Sequence, residues 1–189
     1  MSLELHKLPD EVARLIQGLD VHPYLLAHLV LVHDSATRLV NALRNGWPNL
    51  SFDEQLVLFG AATHDIGKVR HPEEMTGPGN RHHETGVRLL EAEGIERERA
   101  RFALSHGVWE ELEALPVEDL LVSIADVIWA GGRNQGLEKR LTARLAEYDD
   151  RELWQTFLDL DDILIQITNQ AELRLFWQMQ FAPDRTESE

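Results

Sequence analysis

Six residues with side chains that can bind a metal ion fall on the apolar sides of predicted helices. His33 shares its helix face with Leu29, Ala36 and Val40, so helical geometry directs its imidazole toward the core. A single buried histidine is more often structural. Here several predicted helices each direct an imidazole or a carboxylate toward the core, which favours a common functional site. The six residues are His33, His64, Asp65, His83, His106 and Asp126.

Asp126 is the most unusual of the six, because it lies within the apolar segment LLVSIADVIWA. An ionised carboxylate without a partner costs several kcal/mol in such surroundings, so a cation should compensate it. That cation is either an arginine or a metal ion, and the sequence around Asp126 leaves both open.

The ligand types available limit the chemistry. The chain has no cysteine, so a metal must be held by imidazole and carboxylate, which suit Mn, Fe, Ni, Co, Zn or Mg without selecting among them. The segment His82-His83-Glu84-Thr85 lacks the second histidine of a zinc-protease motif, and glycine patterns for phosphate or dinucleotide loops do not occur. A histidine and aspartate metal site is therefore the main hypothesis.

Charge and hydropathy exclude several partners. The formal net charge of −15 makes long DNA or RNA an unfavourable partner, because such binding depends on clustered Lys and Arg. No stretch is apolar enough to predict a membrane span or a signal peptide, so a cytoplasmic protein is expected. The segment 66–83 has three basic and two acidic residues, a balance of +1, so a small phosphorylated ligand is compatible with a locally positive site.

The apolar periodicity predicts an all-α protein. Predicted helices run from Pro9 to Leu19, from about His22 to Gly46, and from a capping box at Ser51 and Glu54 to His64-Asp65. Residues 69–80 read as a loop, and helices follow at 81–93, 96–106, 117–130 and 137–148. A last, unusually long helix begins at Leu153 and extends past Ala171.

The order His33, then His64-Asp65 in THDIGK, then His83, His106 and Asp126 resembles the HD-domain metal-dependent phosphohydrolase superfamily. HHETGVRLLEAEG and SIADVIWAGGR resemble the family's later metal-ligand helices, and the resemblance covers roughly residues 22 to 135. It implies a helical bundle in which His33, His64, Asp65 and Asp126 hold one divalent ion. His83 and His106 match the two histidines by which some subfamilies hold a second ion, with Asp65 bridging. His82 competes with His83 for that place, and His83 is chosen for its helix face.

The resemblance also implies a function. The expected activity is metal-dependent hydrolysis of a small phosphate mono- or diester such as a nucleotide, with Asp65 and Lys68 as catalytic residues and Lys68 also binding substrate. Arg81 and Arg133 are further substrate-binding candidates, for which a surface or ion-pair role is the alternative. A nucleotide-sensing regulatory module without turnover and a di-iron HD oxygenase are the alternatives.

Three parts of the chain are expected. Residues 1–135 form the HD-domain helical core with the metal site, 136–182 form C-terminal helices that pack on it, and 183–189 form a disordered tail. The C-terminal helices, with Trp154, Phe176 and Trp177 exposed to a partner, are the expected surface for a homodimer.

Overall fold

The fold is built from helices alone. The computed structural model describes residues 3–183, and no strand occurs within that range, which confirms the all-α prediction. The helices are α1 (Asp10–Gly18), α2 (Pro23–Gly46), α3 (Glu54–Thr63), α4 (Arg81–Ala92), α5 (Arg97–Ala100), α6 (Phe102–Val108), α7 (Val117–Ile128), α8 (Gln135–Asp149), α9 (Leu153–Thr168) and α10 (Ala171–Met179). Short 3₁₀ turns lie at Ile66–Val69, Pro72–Met75 and Trp109–Glu111.

Helix α2 is the central element of the bundle. It contacts α3, α7, α9 and α10, and its residues between Leu25 and Leu43 are buried on nearly every side. An ordinary surface helix buries only one apolar stripe. Because α2 is surrounded, polar residues on several of its faces lie inside the protein.

The start of α3 differs from the predicted capping box. The Asp53 carboxylate accepts a hydrogen bond from the Leu56 amide at 3.0 Å, whereas Ser51 is exposed. Asp53 therefore caps a free amide of the first turn, and the prediction that Ser51 does so was wrong.

The long C-terminal helix is also divided, because α9 ends at Thr168 and α10 begins at Ala171. The break turns α10 onto α2, where the fully buried Arg174 lies 3.4 Å from Asp34 Oδ2. A buried guanidinium needs such a partner, and one straight helix would not bring it there.

Helices α8, α9 and α10 pack on α7 and α2, while the predicted domain boundaries and the homodimer stay predictions. Apart from Pro183, the predicted disordered tail lies outside the described residues. Among residues 3–183, no helix has the length and apolar character needed to span a bilayer.

Two glycines allow close packing around the HDIGK segment. A Cβ on Gly67 would lie 2.0 Å from the His82 carbonyl oxygen, and one on Gly86 would lie 2.8 Å from Ala103 Cβ. The 3₁₀ turn after α3 thus lies directly against α4, and α4 against α6. This packing brings the histidine-bearing parts of α3, α4 and α6 together.

Candidate metal centre

Five helices direct histidine and aspartate side chains into one cluster. Its six principal residues are His28 on α2, His64 and Asp65 at the end of α3, His82 on α4, His106 on α6 and Asp126 on α7.

Asp65 lies in the middle of this cluster. Its Oδ1 is 3.0 Å from His82 Nε2 and 3.4 Å from His106 Nε2. Its Oδ2 is 3.1 Å from His28 Nε2 and 3.7 Å from His64 Nε2. The two oxygens of one carboxylate therefore face two different pairs of imidazoles.

Asp126 faces the second of these pairs of imidazoles, His28 and His64. Its Oδ1 is 3.2 Å from His64 Nε2 and 3.4 Å from His28 Nε2. Its side chain is 29% exposed, whereas that of Asp65 is 3% exposed. The Asp126 side of the cluster is therefore the more open to solvent.

Hydrogen bonds to the far ring nitrogens orient three of the imidazoles. His64 and His106 each direct Nδ1 to a backbone carbonyl one turn earlier, at 3.0 and 2.8 Å. His82 directs Nδ1 to Glu74 Oε2 at 2.6 Å. An acceptor at Nδ1 assigns the proton to that nitrogen, which leaves Nε2 as a lone-pair donor facing the cluster. This arrangement is typical of metal-ligating histidines.

A divalent cation fits the donor set. Asp65 Oδ1 and His82 Nε2 are buried and 3.0 Å apart, yet neither has a hydrogen-bond partner within residues 3–183. Buried polar atoms without partners are costly, and a cation between such atoms would satisfy them. Nitrogen and oxygen donors are the ligands that first-row divalent metals accept.

The electrostatics of the cluster follow from its burial and close charges. Burial opposes protonation of His28, but hydrogen bonds to Asp126 and Asp65 outweigh it and raise its pKa to about 9. Burial also opposes ionisation of both carboxyls, yet the facing histidines hold the pKa values of Asp65 and Asp126 well below their usual range. Both carboxylates are thus ionised and favour positive charge beside them.

His33 is not part of this cluster, so its prediction as a metal ligand was wrong. It is buried at 3% exposure, its Nδ1 has no partner among residues 3–183, and burial lowers its pKa to about 4. His28 lies five residues earlier, and at 100° per residue the two side chains point about 140° apart. Only one of them can face Asp65.

His82, rather than His83, faces Asp65. The His83 ring lies behind it, 4.2 Å from the His82 ring and 5.0 Å from the His106 ring between centroids. His83 still forms a group with His82 and His106 whose ligand atoms lie within 4.8 Å of one another. His82 therefore contacts Asp65, and the place of His83 as a ligand of a second ion stays a prediction, because both histidines belong to one group that could hold a metal ion.

The three predicted substrate-binding cations have different environments. Lys68 Nζ lies 2.5 Å from Asp65 Oδ2, and Lys68 lines the cavity beside His28. Arg81 is 64% exposed and is paired with Glu73 and Glu74 instead. Of these predicted cations, the structure brings Lys68 to the cluster and leaves Arg81 outside its cavity.

Arg133 lines a groove other than the cavity beside His28, and its predicted contact with substrate stays a prediction. Its guanidinium is 2.7 Å from Glu138 Oε1 and 2.6 Å from Asp161 Oδ1. The hydrogen bond with Glu138, assisted by Asp161, raises the pKa of Arg133 above its usual value. It lines a groove between α8 and α9.

His28 and Glu74 were missed from the sequence, and His82 was set aside in favour of His83. His28 has an apolar face of its own with Leu25 and Val32, and α2 is buried almost all round, so periodicity does not distinguish it from His33. His82 lies four residues before Gly86, on the same face of α4, and Gly86 lies where α4 meets the Gly67 turn. This spacing is a sequence signal that His82 faces the HDIGK segment. No sequence signal identifies Glu74 as the partner of His82.

An all-helical bundle with a buried histidine and aspartate cluster on HDIGK defines a class of proteins typified by metal-dependent phosphohydrolases. The chain belongs to the HD domain family, whose pattern it matches over residues 25–131. Comparison with curated proteins and with solved structures gives no match.

Proposed function

We propose that the protein is a metal-dependent phosphohydrolase that cleaves a small phosphate mono- or diester such as a nucleotide. The observation that carries this proposal is the position of Asp65, whose two carboxylate oxygens face different histidine groups. A carboxylate placed in this way can bridge two cations, with His82, His83 and His106 on one side and His28, His64 and Asp126 on the other. The proposed cofactor is thus a pair of divalent ions.

Bound divalent ions lower the pKa of water toward ~7 and polarise a phosphoryl oxygen, and two of them hold the attacking and leaving oxygens of an in-line displacement. The chain's own residues then have defined tasks. The oriented histidines hold their Nε2 atoms in place, and Asp65 fixes the centre of the site. Lys68 supplies a positive charge beside Asp65, where it can bind a phosphate oxygen.

The test compares His28→Ala with His33→Ala. Both histidines lie on α2, and both substitutions remove one imidazole. We expect the wild type and His33→Ala to bind two divalent ions per chain, measured by inductively coupled plasma mass spectrometry. We expect His28→Ala to lose metal, because its Nε2 contacts both carboxylates.

Activity is measured on p-nitrophenyl phosphate, its bis-ester and a nucleotide panel with Mn, Fe, Ni and Mg in turn. We expect His28→Ala to lose at least ~100-fold in kcat/KM, as for loss of a metal ligand. Nucleotide binding without hydrolysis by any metal form would support the regulatory alternative instead. Oxygen consumption would support the oxygenase.

A further inference from the structure

A cavity of about 260 Å³ opens beside the cluster and has two chemically different ends. His28 and Lys68 form its charged end, next to Asp65. The half-buried rings of Tyr24 and Trp129 contribute aromatic surface to its walls. A cavity of this size is smaller than the roughly 300–1,000 Å³ common for drug-sized ligands, so it suits a compact group.

Part of the remaining wall comes from α10, which lies outside the family match at residues 25–131. Leu175 and Gln178 of this helix line the cavity. Gln178 is 5% exposed, and its Nε2 lies 3.5 Å from the Tyr24 carbonyl oxygen. The cavity beside the metal centre is therefore closed by an element particular to the C-terminal part of this chain.

Helix α10 is held in position by a buried charge pair. Arg174 is fully buried, donates to the Ile167 carbonyl oxygen at 2.8 Å and lies 3.4 Å from Asp34 Oδ2. Leu175 and Gln178 lie one and four residues after this anchor. A wall fixed by a buried ion pair is suited to selecting ligand shape, because pre-organised groups lose little freedom on binding.

We propose that Leu175 and Gln178 select the organic part of the substrate and that this part is a compact, flat ring with polar edges. This inference rests on the proposed phosphohydrolase function. The phosphate lies at the His28 and Lys68 end, and the ring lies against Trp129, since aromatic faces favour planar partners. The Gln178 amide offers a donor and an acceptor to the ring edge.

The test measures binding by isothermal titration calorimetry to metal-loaded protein. Inorganic phosphate probes the charged end alone, phenyl phosphate adds a flat ring, glycerol 2-phosphate adds a group that is not flat, and uridine monophosphate adds a ring with polar edges. We expect the wild type to bind phenyl phosphate roughly tenfold more tightly than inorganic phosphate or glycerol 2-phosphate, as apolar contact of this size typically gives.

Two variants test the α10 wall, each with a matched control. Leu175→Trp fills the cavity and should weaken phenyl phosphate at least ~tenfold, whereas Leu173→Trp on the same helix, outside the cavity lining, should not. Gln178→Ala should weaken uridine monophosphate roughly fivefold, whereas the exposed Gln180→Ala should not. The two controls, Leu173→Trp and Gln180→Ala, should bind inorganic phosphate as the wild type does.

The outcomes separate this inference from the proposed function. Suppose that inorganic phosphate binds but phenyl phosphate and glycerol 2-phosphate bind equally well, or that Leu175→Trp changes the affinity for neither of these two compounds. The inference about α10 is then overturned and the metal site stands. If no phosphate compound binds the metal-loaded protein, both proposals fail.

Discussion

Gly67 in the HDIGK segment offers a direct test of how packing forms the site. A Cβ there would lie 2.0 Å from the His82 carbonyl oxygen, 2.6 Å from the Gly86 amide nitrogen and 2.9 Å from the His82 carbonyl carbon. Ordinary contact begins at 3.4 Å, so in Gly67→Ala the backbone of α4 must retreat by about 1.4 Å. Such a shift carries His82 away from Asp65, which it now approaches to 3.0 Å.

The expected cost combines two opposing effects. Overpacking costs about 1–3 kcal/mol, here near the upper limit because backbone rather than a flexible side chain must move. Alanine recovers about 0.4–1 kcal/mol by restricting the unfolded chain. We expect a net loss of about 2 kcal/mol, which for a chain of this length lowers Tm by about 4–8 °C.

Thermal unfolding with and without EDTA, together with metal analysis, measures the effect of Gly67→Ala. The control is Gly46→Ala at the end of α2, where a Cβ would meet nothing within 4 Å, so its Tm and metal content should be unchanged or Tm slightly higher. If Gly67→Ala matched that control in both Tm and bound metal, the argument that close packing against α4 forms the site would be refuted.

Further predictions concern acidity, metal affinity and assembly. Burial lowers the pKa of His33 from 6.5 to about 4, so the folded state binds this proton less readily than the unfolded state. The free energy of unfolding should therefore fall as the pH drops below 6.5. The full loss of about 3 kcal/mol is reached below pH 4. In urea unfolding, His33→Gln should lose less stability than the wild type between pH 7 and 5, and an equal loss would contradict the assignment. Glu74→Gln should weaken metal binding about 10–100-fold in chelator competition, because this carboxylate orients a histidine of the cluster. The control Glu73→Gln removes an exposed carboxylate. If it weakened metal binding equally, the loss of negative charge rather than the orientation of His82 would explain the effect. If the protein is a dimer through the exposed aromatic residues of its C-terminal helices, Trp154→Glu and Phe176→Glu should each give a monomer in light scattering, whereas the control Leu104→Glu on α6 should not. A monomeric wild type would contradict that prediction.

The sequence by itself determined the helical class and the chemical type of the site. Apolar spacing of 3.6 residues requires only local information, and the absence of cysteine left imidazole and carboxylate as the available strong ligands. The pair His64-Asp65 and the residues Lys68, His106 and Asp126 were selected from their surroundings in the chain. The structure brings these five together.

Only the tertiary structure decided which of two neighbouring histidines faces the cluster. Periodicity fixes a side chain's direction about its own helix axis, but the rotation of that helix relative to its neighbours depends on packing along its whole length. For α2, which is buried nearly all round, His28 and His33 are equivalent by pattern. The same ambiguity applies to His82 and His83, where the approach of α4 to Gly67 selects His82.

The end of the chain shows a second limit of local information. The apolar spacing from Leu153 onward continues through the break between α9 and α10, so one helix was predicted. After the turn, Arg174 reaches Asp34, a contact between residues 140 positions apart. The sequence pattern shows which residues favour a helix. The position of α10 beside the histidine and aspartate cluster, in contrast, involves a long-range charge pair that forms only in the folded protein.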